Sequence, residues 1–281
     1  MTAPHSFGCD GSTASVDGMK RRQVFMTESY YSSLGTFFRG AKAYWQAEPL
    51  EGNTPEEGAC RTSQEIKMCA FMGMMLEYTA GAPISALPAY LERLVEAYEQ
   101  YQHDLARQER SAAISPLHLV SDASEYQEFV QVVSLCVLLQ RPDLLQRFVC
   151  LTDRAGFHGQ DVLYEDLLKK LLPGRVEVEA FYHEHYRSLI ESVYAQSAKD
   201  ASRLLDDYCN GWYLAFASIP NYWHDTHLTM SETDGAYFGY WALEAGAIAY
   251  LYGIDDSAIT HMVYPRDLVE HARTLARISP V

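Results

Sequence analysis

The chain has 281 residues, of which 48% are hydrophobic, and its formal net charge at pH 7 is -15. A chain of this length and composition can bury a substantial core, in one large domain or in two small ones. The charge is uneven, because residues 1–120 carry 10 basic and 14 acidic groups whereas residues 121–281 carry 12 and 23. The acidic second half would repel nucleic acid and anionic membranes, so we predict that neither is a partner.

The first 18 residues are rich in Gly, Ser and Thr and lack periodic apolar positions, which predicts a mobile tail over 1–18. This start is polar rather than signal-like, and no apolar run reaches the roughly 18 residues that a membrane span needs. We therefore expect a cytoplasmic protein. The six cysteines show no CxxC or CxxxC spacing, so we expect buried free thiols rather than a metal knuckle.

Helical periodicity dominates the rest of the chain. It predicts helices over 23–47, 60–79, 84–109, 122–139, 142–154, 161–172, 176–195, 198–217, 234–252 and 265–277. No stretch alternates apolar and polar residues for long, so we predict an all-α class with roughly ten helices in two packed parts. The stretch 111–120 is the predicted junction between an N-terminal helical domain over 19–115 and a C-terminal helical domain over 116–281.

One window of the second part, residues 204–265, carries no lysine or arginine but eight acids and thirteen of the 35 aromatic residues. We call it the acidic window. Acids with Tyr and Trp suit the capture of a basic partner, because aromatic anchors supply binding energy and the field steers encounter. The acids that we expect on this surface are Asp206, Asp207, Asp225, Glu232, Asp234, Asp255 and Asp256. The alternative recognition surface is the segment 161–191, with Asp161, Glu165, Asp166, Glu177, Glu179 and Glu184.

Glu244 lies inside an otherwise apolar stretch, GYWALEAGAIAYLYG. A lone buried carboxylate must be paired or neutralised, so we predict a hydrogen-bonded structural role, and a functional acid is the alternative. Tyr264, Arg266 or a histidine is the expected partner. Tyr240 and Trp241 are expected in the core rather than at an interface.

No motif in the sequence carries catalysis. A nucleophile elbow and a phosphate-binding glycine loop are both missing from it. The histidines at 183, 185, 224 and 227, with Glu184, are residue types that bind metals, but His183 and His185 would point about 200° apart on a helix. We therefore predict no catalytic, cofactor or metal site. The rival hypothesis from another class is a histidine-carboxylate metal-dependent hydrolase.

The block YFGYWALEAGAIAYLYGIDDSAI (237–259), followed by YPRDLVEHAR (264–273), resembles the C-terminal domain of the PoNe immunity (PoNi) family. Residues 76–101, LEYTAGAPISALPAYLERLVEAYEQY, resemble the N-terminal domain of that family. Residues 125–139, EYQEFVQVVSLCVLL, resemble the helix that opens its second domain. Thr79, where serine is common, and Gly246 depart from the usual pattern. The motif positions that we assign a structural role are Tyr240, Trp241, Glu244, Tyr264 and Pro265.

The resemblance implies an all-helical, non-enzymatic immunity protein that binds a secreted antibacterial DNase toxin, often one delivered by type VI secretion. A nuclease needs a basic cleft for the phosphate backbone, so an acidic inhibitor suits that partner. We predict stoichiometric occlusion of the DNA-binding or active-site cleft of the toxin. Allosteric inhibition, or a toxin with other chemistry, is the alternative. The sequence leaves the toxin's identity and the choice between monomer and homodimer open.

Overall fold

The computed structural model describes residues 19–219 and 223–278, so the predicted tail over 1–18 lies outside the described residues. Within the described ranges the chain forms ten α-helices and no strand, which confirms the all-α prediction. The helices are α1 Glu28–Ala47, α2 Pro55–Ala80, α3 Leu87–Gln108, α4 Ala123–Leu138, α5 Pro142–Asp153, α6 Val162–Leu168, α7 Arg187–Val193, α8 Ala198–Ala215, α9 Leu243–Tyr252 and α10 Arg266–Ile278. Three 3₁₀ turns complete the set, at Ile84–Ala86, Glu184–Tyr186 and Thr226–Thr229.

The chain packs around two helices that are buried along most of their length. In the N-terminal half, α2 lies between α1 and α3, and in the C-terminal half α4 packs against α9, α5 and α10. The buried apolar side chains of both halves belong to one continuous core. The division near residue 115 falls in the connection between α3 and α4, and it stays a prediction.

A buried ion pair joins α2 and α4. Lys67 Nζ lies 2.8 Å from Glu128 Oε1, and the hydroxyl of Tyr98 on α3 also donates to this carboxylate. The Lys67 side chain is only 9% exposed, so the pair holds three helices together away from water.

The cysteines within the described residues are free thiols, as expected. Cys60, Cys69, Cys136 and Cys209 are buried and free, and Cys150 is half-buried and free. No helix in the described part of the chain combines the length and apolarity that a membrane crossing requires.

The predicted helix over 234–252 is wrong in its first half, because residues 235–242 cross the core as an extended segment. Gly235 and Gly239 adopt φ angles of 146° and 115°, which L side chains rarely adopt. An α-helix cannot pass through these two positions, so α9 begins only at Leu243.

Side chains from outside the extended segment 235–242 satisfy its backbone, as a buried irregular chain requires. The pairs are the Tyr30 hydroxyl with the Tyr237 carbonyl (2.8 Å), the Thr79 hydroxyl with the Phe238 carbonyl (2.6 Å), Gln23 with the N–H and the carbonyl of Tyr240 (2.9 and 2.5 Å), and the Gln131 amide with the Trp241 carbonyl. These bonds tie α1, α2 and α4 to the segment that carries the family-like motif.

The predicted helix over 176–195 is also partly wrong. Residues 176–183 are extended, and the chain becomes helical only after the 3₁₀ turn that precedes α7. The N–H of Val162 donates to the carbonyl of Ala180 at 2.8 Å, which docks the extended part beside α6. The Val-Glu-Val-Glu alternation over 176–179 indicates extended backbone rather than helix, although it is too short to predict a strand.

Candidate functional site

The structure exposes most of the acids that the sequence places in the acidic window. The exposed ones are Asp207, Asp225, Glu232, Asp234 and Asp255, whereas Asp206 is half-buried on α8. They lie on α8, on the connection from α8 to α9, and in the turn after α9, within the described residues. The exposed acids of the acidic window therefore belong to several elements of the C-terminal half.

Asp256 is the exception, and the expectation that it is exposed is wrong. It is 5% exposed, and it accepts hydrogen bonds from the Tyr264 hydroxyl and from Arg273 Nη1, the latter at 2.8 Å. The guanidinium of Arg266 donates to the backbone carbonyl of Asp256 at 3.2 Å. The acid thus fixes the turn after α9 onto α10, because a buried carboxylate needs such partners.

The exposed acids make only local contacts. The donors are Arg203 for Asp207 (2.8 Å), the Tyr213 hydroxyl for Asp225 (2.5 Å), Gly235 N for Asp234 (2.8 Å) and Ser257 N for Asp255 (3.0 Å). Of these donors only Arg203 carries a charge. The remaining carboxylates therefore keep a negative field that is available to a basic partner.

Most aromatic residues of the acidic window are core residues rather than anchors. Tyr240 is 1% exposed and Trp241 is 3% exposed. Tyr222 lies outside the described residues. Apolar surface in the window comes instead from two leucines, since Leu214 is 71% exposed and Leu228 is 68% exposed. Neither leucine was predicted at the surface, because one sequence does not show which apolar residues of a helix end or turn stay exposed.

A small cavity of about 30 Å³ is lined in part by the residues that directly precede these two leucines in the chain. Its aromatic walls include Tyr213, which precedes Leu214, and His227, which precedes Leu228. The His227 ring stacks on Phe25 with centroids 4.1 Å apart, and its Nδ1 lies 2.8 Å from the Tyr240 hydroxyl. Burial lowers the pKa of His227, so the imidazole is neutral at neutral pH.

Glu244 is completely buried at the start of α9 and accepts several hydrogen bonds. Its Oε1 accepts from the Tyr208 hydroxyl at 2.6 Å and from Trp212 Nε1 at 2.9 Å. Its Oε2 accepts from the side-chain amides of Gln127 at 3.2 Å and Gln131 at 3.3 Å. The carboxylate therefore joins α9 to α8 and α4.

The partners that the sequence analysis named for Glu244 are wrong. Tyr264 bonds to Asp256, and Arg266 bonds to backbone carbonyls near that turn. All four donors to Glu244 are uncharged, and burial raises its pKa to about 7. Removal from water penalises the charged form, and hydrogen bonds from neutral groups compensate only part of that cost.

The histidines of the metal hypothesis lie in different surroundings. His183 Nε2 lies 2.8 Å from the Leu119 carbonyl, and burial lowers the pKa of His185 to about 4. His224 lies against Asp225, with Nδ1 3.4 Å from the carboxylate. Within residues 19–219 and 223–278, no three His, Cys, Asp or Glu side chains form a group that could hold a metal ion.

The alternative surface over 161–191 is divided between core and exterior. Asp161, Glu165 and Asp166 are each 1% exposed, so the expectation of an acidic face that includes them is wrong. Asp161 caps α6, where its Oδ1 accepts from Tyr164 N at 2.8 Å. Of the six acids predicted for this surface, Glu177, Glu179 and Glu184 are exposed.

Comparison with known proteins identifies the C-terminal half. Residues 159–268 match the family model described as PoNe immunity proteins (PoNi), C-terminal. This match supports membership of the PoNe immunity family through the C-terminal domain that it covers. The family is one of immunity proteins and not of enzymes, so the rival hydrolase hypothesis is not supported. A cognate toxin is the partner that membership implies.

A solved structure shares the whole fold. The crystal structure of protein PA2201 from Pseudomonas aeruginosa matches with a TM-score of 0.67 and covers 91% of this chain and 92% of that chain. The two sequences are 18% identical, so the likeness shows a common fold alone. A search of curated proteins finds no match. All seven acids named in the acidic window fall inside the matched PoNe immunity domain.

Proposed function

We propose that this PoNe immunity protein neutralises a secreted antibacterial nuclease by binding it stoichiometrically and covering its basic DNA-binding or active-site cleft. The binding takes place in the cytoplasm of the producing cell, against a toxin delivered by a type VI or related secretion system. The observation that carries the proposal is the matched domain, whose acidic window exposes carboxylates and contains no lysine or arginine.

Charge and apolar surface would contribute to different steps of binding. Uncompensated carboxylates attract the lysines and arginines with which a nuclease binds phosphate, and this attraction accelerates encounter. Exposed leucines beside those acids then supply apolar area, which slows dissociation once it is buried. Leu214 and Leu228 are the two residues that provide this area in the acidic window.

Charge reversal at two exposed sites tests the placement of the interface. Asp207→Lys combined with Glu232→Lys should slow association with the toxin by about tenfold, because the steering field is weakened where it is needed. Neither side chain is buried, so circular dichroism should show an intact fold. Association rates measured over a series of salt concentrations also give the slope, which should become shallower in the double variant.

The matched control is Glu48→Lys combined with Glu51→Lys. Both residues are exposed in the connection from α1 to α2, outside the matched domain, and the change in net charge is the same. If both double variants slow association equally, net charge rather than the acidic window controls encounter. The interface would then have to lie elsewhere on the chain.

A further inference from the structure

A groove with an apolar floor and an acidic rim lies between the extended residues 176–183 and α7. It has a volume of about 500 Å³. Val162 and Ile190 form buried parts of its floor, and Val178 and Phe181 are half-buried in it. Floors of this kind bind apolar side chains of a partner.

Carboxylates outnumber cations at the rim. Glu177, Glu179 and Glu191 are exposed there, against the single lining cation Arg187. The Glu177 side chain is 76% exposed and lies 3.1 Å from Lys169. Glu179 makes no hydrogen bond or ion pair with any residue that the structure describes, so its charge is free for a partner.

Arg187 shows what kind of group the groove accommodates. Its guanidinium lies 4.9 Å from the centroid of the Phe181 ring, a cation–π distance. The same guanidinium pairs with Glu184 at 2.8 Å and lies 3.8 Å from Glu191. The groove therefore already provides an aromatic face and carboxylates for a guanidinium, while half of the Arg187 side chain stays exposed.

We infer that this groove is a docking site for a basic segment of the cognate toxin, one that carries an apolar side chain between lysines or arginines. The apolar side chain occupies the floor, and the basic side chains pair with the three glutamates at the rim. Charge complementarity selects this occupant, because an acidic or purely apolar segment would leave the rim carboxylates unpaired. The inference rests on the proposed function and adds a second contact to the acidic window.

The test uses the full chain and the nuclease domain of the cognate toxin, made inactive by replacement of a catalytic residue. Glu177→Lys combined with Glu179→Lys should weaken the Kd at least about tenfold relative to Glu48→Lys combined with Glu51→Lys, because lysines then face the basic segment. In the wild-type complex, hydrogen exchange of the amides in 176–183 should slow.

The outcomes separate the two claims. The groove inference is wrong if the groove variant binds the toxin as tightly as the control variant does. It is also wrong if hydrogen exchange over 176–183 is unchanged in the wild-type complex. In both cases toxin binding itself stands. Failure of the wild-type protein to bind the toxin overturns the proposed function, and the groove inference falls with it. Glu179→Lys alone serves as the second variant, because Glu179 has no partner whose loss could disturb the fold.

Discussion

At the scale of single residues, Glu244 shows how a motif position can be structural without an ion pair. Every group that contacts its carboxylate is a neutral donor, from Tyr208, Trp212, Gln127 or Gln131. The hydrogen bonds from these donors stabilise the ionised carboxylate, whereas burial away from water favours the protonated, neutral form. The balance leaves the pKa at about 7, within the physiological range.

The stability of the protein should therefore depend on the ionisation of Glu244. Its folded pKa of about 7 lies above the ordinary value of 4.5. A raised carboxyl pKa contributes stability that is complete below about pH 4.5 and is lost as the pH rises through about 7. The loss amounts to about 3 kcal/mol, because one pKa unit corresponds to about 1.4 kcal/mol.

Glu244→Gln should remove this pH dependence. We expect the free energy of unfolding of the variant, minus that of the wild type, to rise by about 3 kcal/mol between about pH 4.5 and pH 8 in urea titrations. His185, with a pKa lowered to about 4, destabilises both proteins as the pH falls, so its effect cancels in the difference. A difference that stays constant with pH would show that Glu244 does not titrate in this range.

Two glycines with positive φ provide a second test at this scale. Gly239→Ala should cost at least about 3 kcal/mol, because its Cβ would lie 2.1 Å from Thr79 Oγ1 and 2.4 Å from Trp241 Nε1. Gly253→Ala should cost only about 1 kcal/mol, since its φ is 66° and its Cβ would meet open space. Equal losses in urea unfolding would mean that backbone conformation alone, rather than close packing at 239, sets the requirement.

At the scale of elements, the sequence predicted what periodicity and helix-stop signals determine. The predicted range 142–154 differs by one residue from α5, which has Pro142 in its first turn, and the start at 198 follows the N-cap Ser197. The extended segment 235–242 was missed, because its apolar composition is equally compatible with a buried helix. Gly235 and Gly239 were the available signal against that helix.

The contacts of the candidate site were less predictable than its elements. Gln127 and Gln131 are four residues apart in the apolar α4, which marks a polar stripe, yet nothing in one sequence says that Glu244 lies opposite. The burial of Asp256 depends similarly on Arg273, 17 residues later. Long-range pairings follow from tertiary packing and are not encoded in local pattern.

Thr79 connects α2 to the extended segment 235–242. Its hydroxyl donates to the Phe238 carbonyl at 2.6 Å and accepts from Trp241 Nε1 at 2.8 Å. Thr79→Val should cost about 2 to 4 kcal/mol, because two buried polar groups lose their partner. Thr79→Ser keeps the hydroxyl and should cost about 1 kcal/mol for one lost methyl group.

Urea unfolding of the two Thr79 variants decides whether the hydroxyl matters. The Ser variant is the matched control, and it reproduces the residue that the family resemblance favours. Near-equal stability of the Val and Ser variants would assign the role of Thr79 to packing alone. The hydrogen bonds to the extended segment would then contribute little.

At the scale of the whole molecule, the net charge of -15 and its concentration in the C-terminal half produce a negative field of the kind that the proposed function requires. The exposed carboxylates of the acidic window belong to several elements of this half. The buried acids Asp256, Asp161 and Glu165 serve the core instead. The chain thus uses buried carboxylates to connect elements of the core and exposed carboxylates to produce a negative field at its surface.

The central claim is neutralisation by binding, and a titration of DNA cleavage tests it most directly. With the toxin at a concentration well above the Kd, cleavage should fall linearly with added protein and vanish near about one molar equivalent. The mass of the recovered toxin should be unchanged, because no covalent chemistry is involved. Loss of activity that progresses with time at substoichiometric amounts of protein, with a chemically altered toxin, would contradict this account.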